Sequence, residues 1–139
     1  MYFRAGGRDE RKRYECNYSV TQKYLVNKCN NREIASFFKE RNINKIAIYG
    51  VNDLAKCMIN DLANTDVEIS CIVDRAASNF PNGCKGIRVI EKSELSSYKD
   101  IDVIVIVVLY EINDILDGLE EEGISLDNVI SITDVVYSL

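Results

Sequence analysis

One stretch constrains this chain more than any other: KIAIYGVNDLAKCMINDLANTDVEISCIVD, residues Lys45–Asp74. An apolar run ends in glycine, an amphipathic segment follows, and a second apolar run ends in aspartate. The apolar residues of the middle segment (Leu54, Met58, Ile59 and Leu62) recur at helical spacing. The flanking runs are β-branched and continuous, as in strands buried on both faces. Strand, helix and strand in that order make a parallel crossover unit, because parallel neighbours need a long connection.

The rest of the chain continues the alternation. The spacing predicts strands over Lys45–Tyr49, Val67–Val73, Ile87–Ile90, Asp102–Leu109 and Asn128–Ile132. It predicts helices over Asp53–Asn64 and Glu111–Glu122, with Gly123 as the C-terminal stop and Asn52 or Asp53 as N-cap of the first. Arg75–Gly86 reads as a long loop, Ser93 as the cap of a short helical turn through Tyr98, and Thr133 or Asp134 as the start of a terminal turn. Val103–Leu109 is apolar without a break, which places that strand in the sheet interior. Upstream, residues 1–15 read as a polar arm with paired glycines. A short helix over Tyr18–Lys28, capped at Ser19 or Thr21, and a second over Arg32–Arg41, capped by Asn31, come before the sheet. The fold class is therefore α/β: a three-layer parallel sheet of order 3-2-1-4-5 with an N-terminal helical extension. The organisation expected is an arm with helices over 1–41 and the sheet domain over 42–139. The extension packs on the sheet edge or exchanges with a second copy.

In such sheets a ligand sits beyond the carboxyl ends of the strands, where the strand order reverses. Here that edge consists of Gly50–Asp53, Asp74–Arg75 and Leu109–Glu111. A dinucleotide turn uses one glycine for the bend, a second for close approach of the pyrophosphate and a third small residue for helix packing. Gly50 and Ala55 match the first and third. Asn52 stands at the second, where an Asn can adopt the left-handed conformation. Asp53 adds a carboxylate at the positive end of the helix, which repels phosphate. Asp74, twenty-four residues after Gly50, can accept ribose hydroxyls or cap the next turn. Arg75 favours a phosphorylated ribose or a nucleotide sugar. Tyr110 and Glu111 form an acid–base pair in one reading and a helix cap in the other. The binding residues expected are thus Gly50, Val51, Asn52, Asp53, Asp74, Arg75, Leu109 and Tyr110.

Tyr24-x-x-x-Lys28 has the spacing of the short-chain dehydrogenase pair, but it precedes the first strand, so its two residues simply share a helix face. The sequence has no histidine and no paired cysteines, which removes His-based catalysis and argues against a zinc site. No catalytic or metal residues are assigned, and the sequence inclines against an enzyme.

Charge is distributed unevenly. Residues 1–49 carry eleven Lys or Arg against five acids, and residues 100–139 carry ten acids with no Lys or Arg. The acids read as solvent-facing helix positions. Alternatively, the basic arm meets the acidic face within one chain or between two. The acidic total, −5, disfavours nucleic acid. No apolar run reaches a membrane-spanning length. Five cysteines without a C-x-x-C motif point to reduced thiols and a cytoplasmic location, with Cys57 and Cys71 as small hydrophobes inside a helix and a strand.

The segments IAIYGVNDLAKCMINDL, EISCIVDR, GIRVIEKSEL, DVIVIVV and NVISITDVV together resemble the Rossmann-like domain of bacterial polysaccharide-biosynthesis proteins. Such modules accompany nucleotide-sugar epimerase/dehydratase domains, sugar acyltransferases and glycosyltransferases. The resemblance spans Ile34–Val136. It implies that Gly50 is the turn glycine, Asp74 the ribose carboxylate and Gly86 the glycine before the third strand. The implied function is a module binding a nucleotide, a nucleotide sugar or NAD(P), with a second copy or a partner enzyme beside it. The other reading is a ligand-free scaffold or regulatory interaction domain.

Overall fold

The computed structural model describes the backbone over residues 5–139, and side chains at residue 15 and over 17–139. Five helices and five strands follow in the order α1 (Ala5–Cys29), α2 (Ile34–Glu40), β1 (Lys45–Tyr49), α3 (Asp53–Leu62), β2 (Glu68–Val73), β3 (Val89–Ile90), β4 (Val103–Ile106), α4 (Ile112–Glu121), β5 (Val129–Ser131) and α5 (Ile132–Val136). All four strand pairings are parallel, and the sheet order is β3-β2-β1-β4-β5. The α/β class, the strand order and the N-terminal helix are those the sequence predicts.

The strand residues alternate between two apolar layers, as the two-residue period of a strand requires. Ile46, Ile48, Ile72, Val103 and Val105 face a layer built from α1, α2, α3 and α5. Ala47, Tyr49, Cys71, Ile104 and Ile106 face Leu95, Ile115 and Leu119 on the opposite side. In register, β1 sits between its neighbours with Ala47 opposite both Cys71 and Ile104. The Asp102 carboxylate fixes the start of β1, accepting the Asn44 and Lys45 amides at 2.8 and 3.0 Å.

Helix ends follow local chemistry. Asn31 and Asn42 adopt positive φ of 58° and 57° and close α1 and α2. In each, the asparagine N–H and the next residue's N–H return to carbonyls of the last turn: Asn31 to Lys28 and Arg32 to Asn27, Asn42 to Lys39 and Ile43 to Phe38. Gly123 ends α4 in the same way, with Ile124 N–H on Leu119 O at 3.0 Å. Ser131 and Asp134 form a reciprocal capping box that opens α5.

Several expectations are corrected. Residues 1–4 of the expected arm lie outside the described residues, and from Ala5 onward the segment is helical. Val20 and Tyr24 dock the second half of α1 into the core, which supplies the costly nucleus. Elongation from it needs only one residue's ordering per bond, so Ser19 and Thr21 cap nothing. The helix packs on α5 and reaches Asp61 of α3 through Tyr24 and Lys28. Asn31 ends α1 instead of starting α2, whose N-cap is Glu33 without a side-chain bond. Ser93 is not the cap of its turn; that role falls to Glu91, whose N–H donates to the Glu94 carboxylate at 3.1 Å. Neither Thr133 nor Asp134 is the first residue of the terminal helix, which Ser131 caps. The third strand is shortened because Cys84 and Ile87 close a tight turn on each other, with Lys85 and Gly86 both at positive φ. Cys57 is exposed on α3, whereas Cys71 is buried as expected.

The Tyr24–Lys28 pair has a structural use. Tyr24 Oη donates to Asp61 Oδ2 of α3, and Lys28 Nζ donates to Asp61 Oδ1 at 3.2 Å and to Glu33 at 2.9 Å. Asp61 lies in the last turn of α3, at the opposite end of the sheet from the strand carboxyl ends. Burial, reinforced by the Asp61 carboxylate, pushes the Tyr24 phenol far above its usual value. The bonds from Glu33 and then Asp61 raise the Lys28 ammonium.

Tyr24→Phe is expected to cost about 1.5–3 kcal/mol in urea denaturation at neutral pH, the range for a hydrogen bond to a charged group. Because the folded phenol titrates above its unfolded value of about 10, its contribution is complete below that pH. Above it the unfolded phenol ionises, so the gap between wild type and variant should narrow. Burial also raises the Cys71 thiol to about 11, and only the thiolate reacts. Iodoacetamide at neutral pH with peptide mapping should label Cys29 and Cys57 and spare Cys71 and Cys84.

Candidate functional site

The carboxyl end of β1 has to turn into α3 within three residues. Gly50 makes the turn at φ +115° and donates to Val73 O at 2.7 Å. A Cβ there would collide with Val108 Cγ2 and come within 3.1 Å of Val107 Cγ2. Glycine is therefore required twice, for its backbone angle and for the close approach of the loop after β4.

The next residues are bound by the chain itself. Asn52 is extended at φ −147°, not left-handed, and is the N-cap of α3: its Oδ1 accepts the Ala55 amide at 2.9 Å. Its Nδ2 donates to Val107 O at 3.1 Å, which ties the turn to the end of β4. Asp74, at the end of β2, accepts the Val51 amide on Oδ2 at 3.0 Å and the Ala76 amide on Oδ1 at 2.8 Å. The carboxylate thus caps its own turn and one of the turn amides on which a phosphate would otherwise rest.

Val108 and Leu109 leave the ladder instead of extending β4 as the apolar run suggests, because the pairing with β1 ends at Tyr49–Ile106. Together with Tyr110 and Glu111 they wall a cleft of about 310 Å³, closed on the other side by Val51 and Asn52 and roofed by Asn17 of α1. The cleft lies where the strand order reverses between β1 and β4. Across its rim Arg75 pairs with Glu111, and that bond raises the already high guanidinium value further. Arg75 is the only cation among the expected site residues, against the carboxylates of Asp53, Asp74 and Glu111.

Of the eight expected residues, Val51, Asn52, Leu109 and Tyr110 line the cleft. Gly50 and Asp74 shape it from behind, Arg75 spans its rim, and Asp53 is exposed at the first turn of α3. Glu111, which the sequence places at the same edge beside Tyr110, lines it too. Two further contributors, Val108 and Asn17, lie outside the residues the sequence points to. Val108 falls inside the predicted strand, and Asn17 has no local signal, since only the packing of α1 brings it there. Among the described residues no cluster of His, Cys, Asp or Glu suits a metal ion, and no helix is long and apolar enough to cross a membrane.

Fold and site together define an open, doubly covered parallel α/β module with a cleft at its switch point. The family described as C2185-like, N-terminal, matches residues 42–130, and the chain belongs to that family. No curated protein matches it.

Gly50→Ala is expected to lose about 2–4 kcal/mol, combining backbone strain with overpacking. Val108→Ala in the same chain should recover the overpacking share and leave the strain. Urea denaturation of both variants measures the division.

Proposed function

We propose that the chain is a binding module for a small nucleotide-type ligand, without a catalytic centre of its own. The open cleft beyond β1 and β4 carries this reading, because its position is where doubly wound sheets hold ligands. Its volume, about 310 Å³, lies at the low end of the ~300–1,000 Å³ typical of small-molecule sites. It admits one nucleoside- or sugar-sized group, so a nucleotide sugar or NAD(P) extends beyond it. Asn17, Asn52 and Glu111 offer donors and acceptors suited to hydroxyls, and Arg75 is the one group placed to meet a phosphate once it leaves Glu111. A role beside an enzyme of bacterial polysaccharide assembly, in the cytoplasm, rests on the sequence resemblance and on the free cysteines.

A second reading is a ligand-free interaction domain. The occupied turn favours it: the Val51 and Ala55 amides are already satisfied by Asp74 and Asn52, so the usual phosphate donors are not on offer.

Amide chemical shifts of the labelled chain, titrated with UDP-glucose, NAD and NADP, separate the two. The binding reading expects at least one of them to move Val51, Asn52, Leu109 and Tyr110. At about 100 times the dissociation constant it should also add about 2.7 kcal/mol of stability. Glu111→Gln should tighten a phosphate-bearing ligand roughly two- to five-fold by releasing Arg75, the scale of an exposed ion pair. If none of the three ligands disturbs those amides, the binding reading fails and the interaction reading takes its place.

A further inference from the structure

The outer edge of the sheet carries one residue whose main chain no protein group answers. β3 is the edge strand beside β2. Arg88 O accepts the Ile72 amide and Ile90 O accepts the Asp74 amide, at 2.9 and 3.0 Å. Successive residues of a strand present their main-chain groups to opposite sides. The N–H and C=O of Val89 therefore both point away from β2. No hydrogen bond among the described residues reaches either group, although Val89 is only 7% exposed. Shielded main-chain groups need a partner. Val89 borders a groove of about 510 Å³, whose walls include Ala77, Phe80, Pro81 and Arg88.

The same edge shows the form such a partner takes. Cys84 and Ile87 exchange both main-chain bonds in antiparallel fashion, at 2.8 and 2.9 Å. Continued to the next hydrogen-bonded pair, that ladder would set Asn82 opposite Val89. The chain turns aside first: Gly83 lies at φ +77°, and its N–H donates to Phe80 O at 3.0 Å. On the other side, Glu91 is engaged by its own turn. Its N–H donates to the Glu94 carboxylate at 3.1 Å, and its C=O accepts the Glu94 amide at 3.0 Å. A single antiparallel place is left beside Val89, bounded at both ends.

We propose that this groove binds the C-terminal residue of an extended peptide. The N–H of that residue donates to Val89 O, and its carboxylate accepts the Val89 N–H. These are the two bonds that one antiparallel residue exchanges, and strand addition at a sheet edge is a recurrent mode of peptide capture. The peptide has to end there. In antiparallel order its carboxyl side points toward Gly83 and Cys84, which already fill the next place along the edge. The charge nearby suits a terminus. Arg88 is 73% exposed, and its nearest carboxylate oxygen, on Glu94, is 3.9 Å away. Lys85, at the hairpin tip, forms no ion pair among the described residues. Ala77, Phe80 and Pro81 suit an apolar last side chain.

Amide chemical shifts of the labelled full chain, titrated with N-acetyl-glycyl-glycyl-valine, test this. The Gly86, Arg88 and Val89 amides should move saturably, while Val51 and Tyr110 at the cleft stay still. Two altered ligands probe the contacts without touching the fold. The C-terminal carboxamide lacks the charge, and the peptide N-methylated at its valine lacks the donor. Each should bind about ten-fold more weakly, the scale of a lost bond to a charged group or of an orphaned acceptor. Arg88→Gln should weaken the free acid several-fold and leave the carboxamide unchanged. No saturable shift at Val89, or an N-methylated peptide that binds as well as the parent, overturns the site. A carboxamide that binds equally overturns the C-terminal assignment, and acetate alone reproducing the shifts overturns peptide recognition.

Discussion

The structure depends on β1 lying in the middle of a parallel sheet. A strand paired in parallel on both sides cannot return through a hairpin, so each connection must cross a face. Those crossings put helices on both sides and leave Ile46, Ala47 and Ile48 with no exposure at all. The chain first builds outward through β2 and β3, then returns to the other flank of β1 for β4 and β5. That reversal leaves the connections at the ends of β1 and β4 departing to opposite faces, and the cleft is the space between them.

What occupies the top of the sheet decides the chemistry available there. In a phosphate-binding turn the amides at the helix N-terminus are left for the ligand. Here Asn52 and Asp74 take the Ala55 and Val51 amides and bind the β1, β2 and β4 ends to one another. The arrangement rigidifies the floor of the cleft and lowers its appetite for an anion. Carboxylates outnumber cations around it, and its single guanidinium is held by Glu111. Hydroxyl-bearing groups fit this setting better than a pyrophosphate pressed onto the turn.

Helix α1 joins three parts of the molecule. Through Tyr24 and Lys28 it grips Asp61 of α3. Through Asn27, whose Nδ2 donates to Val136 O at 2.9 Å, it holds the end of α5. Through Asn17 it roofs the cleft.

The order of elements, the parallel sheet and the turn at Gly50 were readable in the sequence, because buried strands and amphipathic helices leave period-two and period-3.6 patterns that survive without tertiary information. The two readings of Asp74 were both written in its position at a strand end, and so were the two candidates for the α3 cap. Only the folded chain shows that Asp74 caps its own turn and accepts the Val51 amide, and that Asn52 reaches Val107. These bonds join residues distant in the chain, and a one-dimensional pattern carries no distances. The same holds for the end of β4, which stops where its partner stops and not where the apolar run does. It holds for Asn17 too, since a polar residue on a helix has no local mark of what its neighbours will be. Periodicity settled which segments become strands and which become helices; long-range packing settled which polar groups remain to meet anything else.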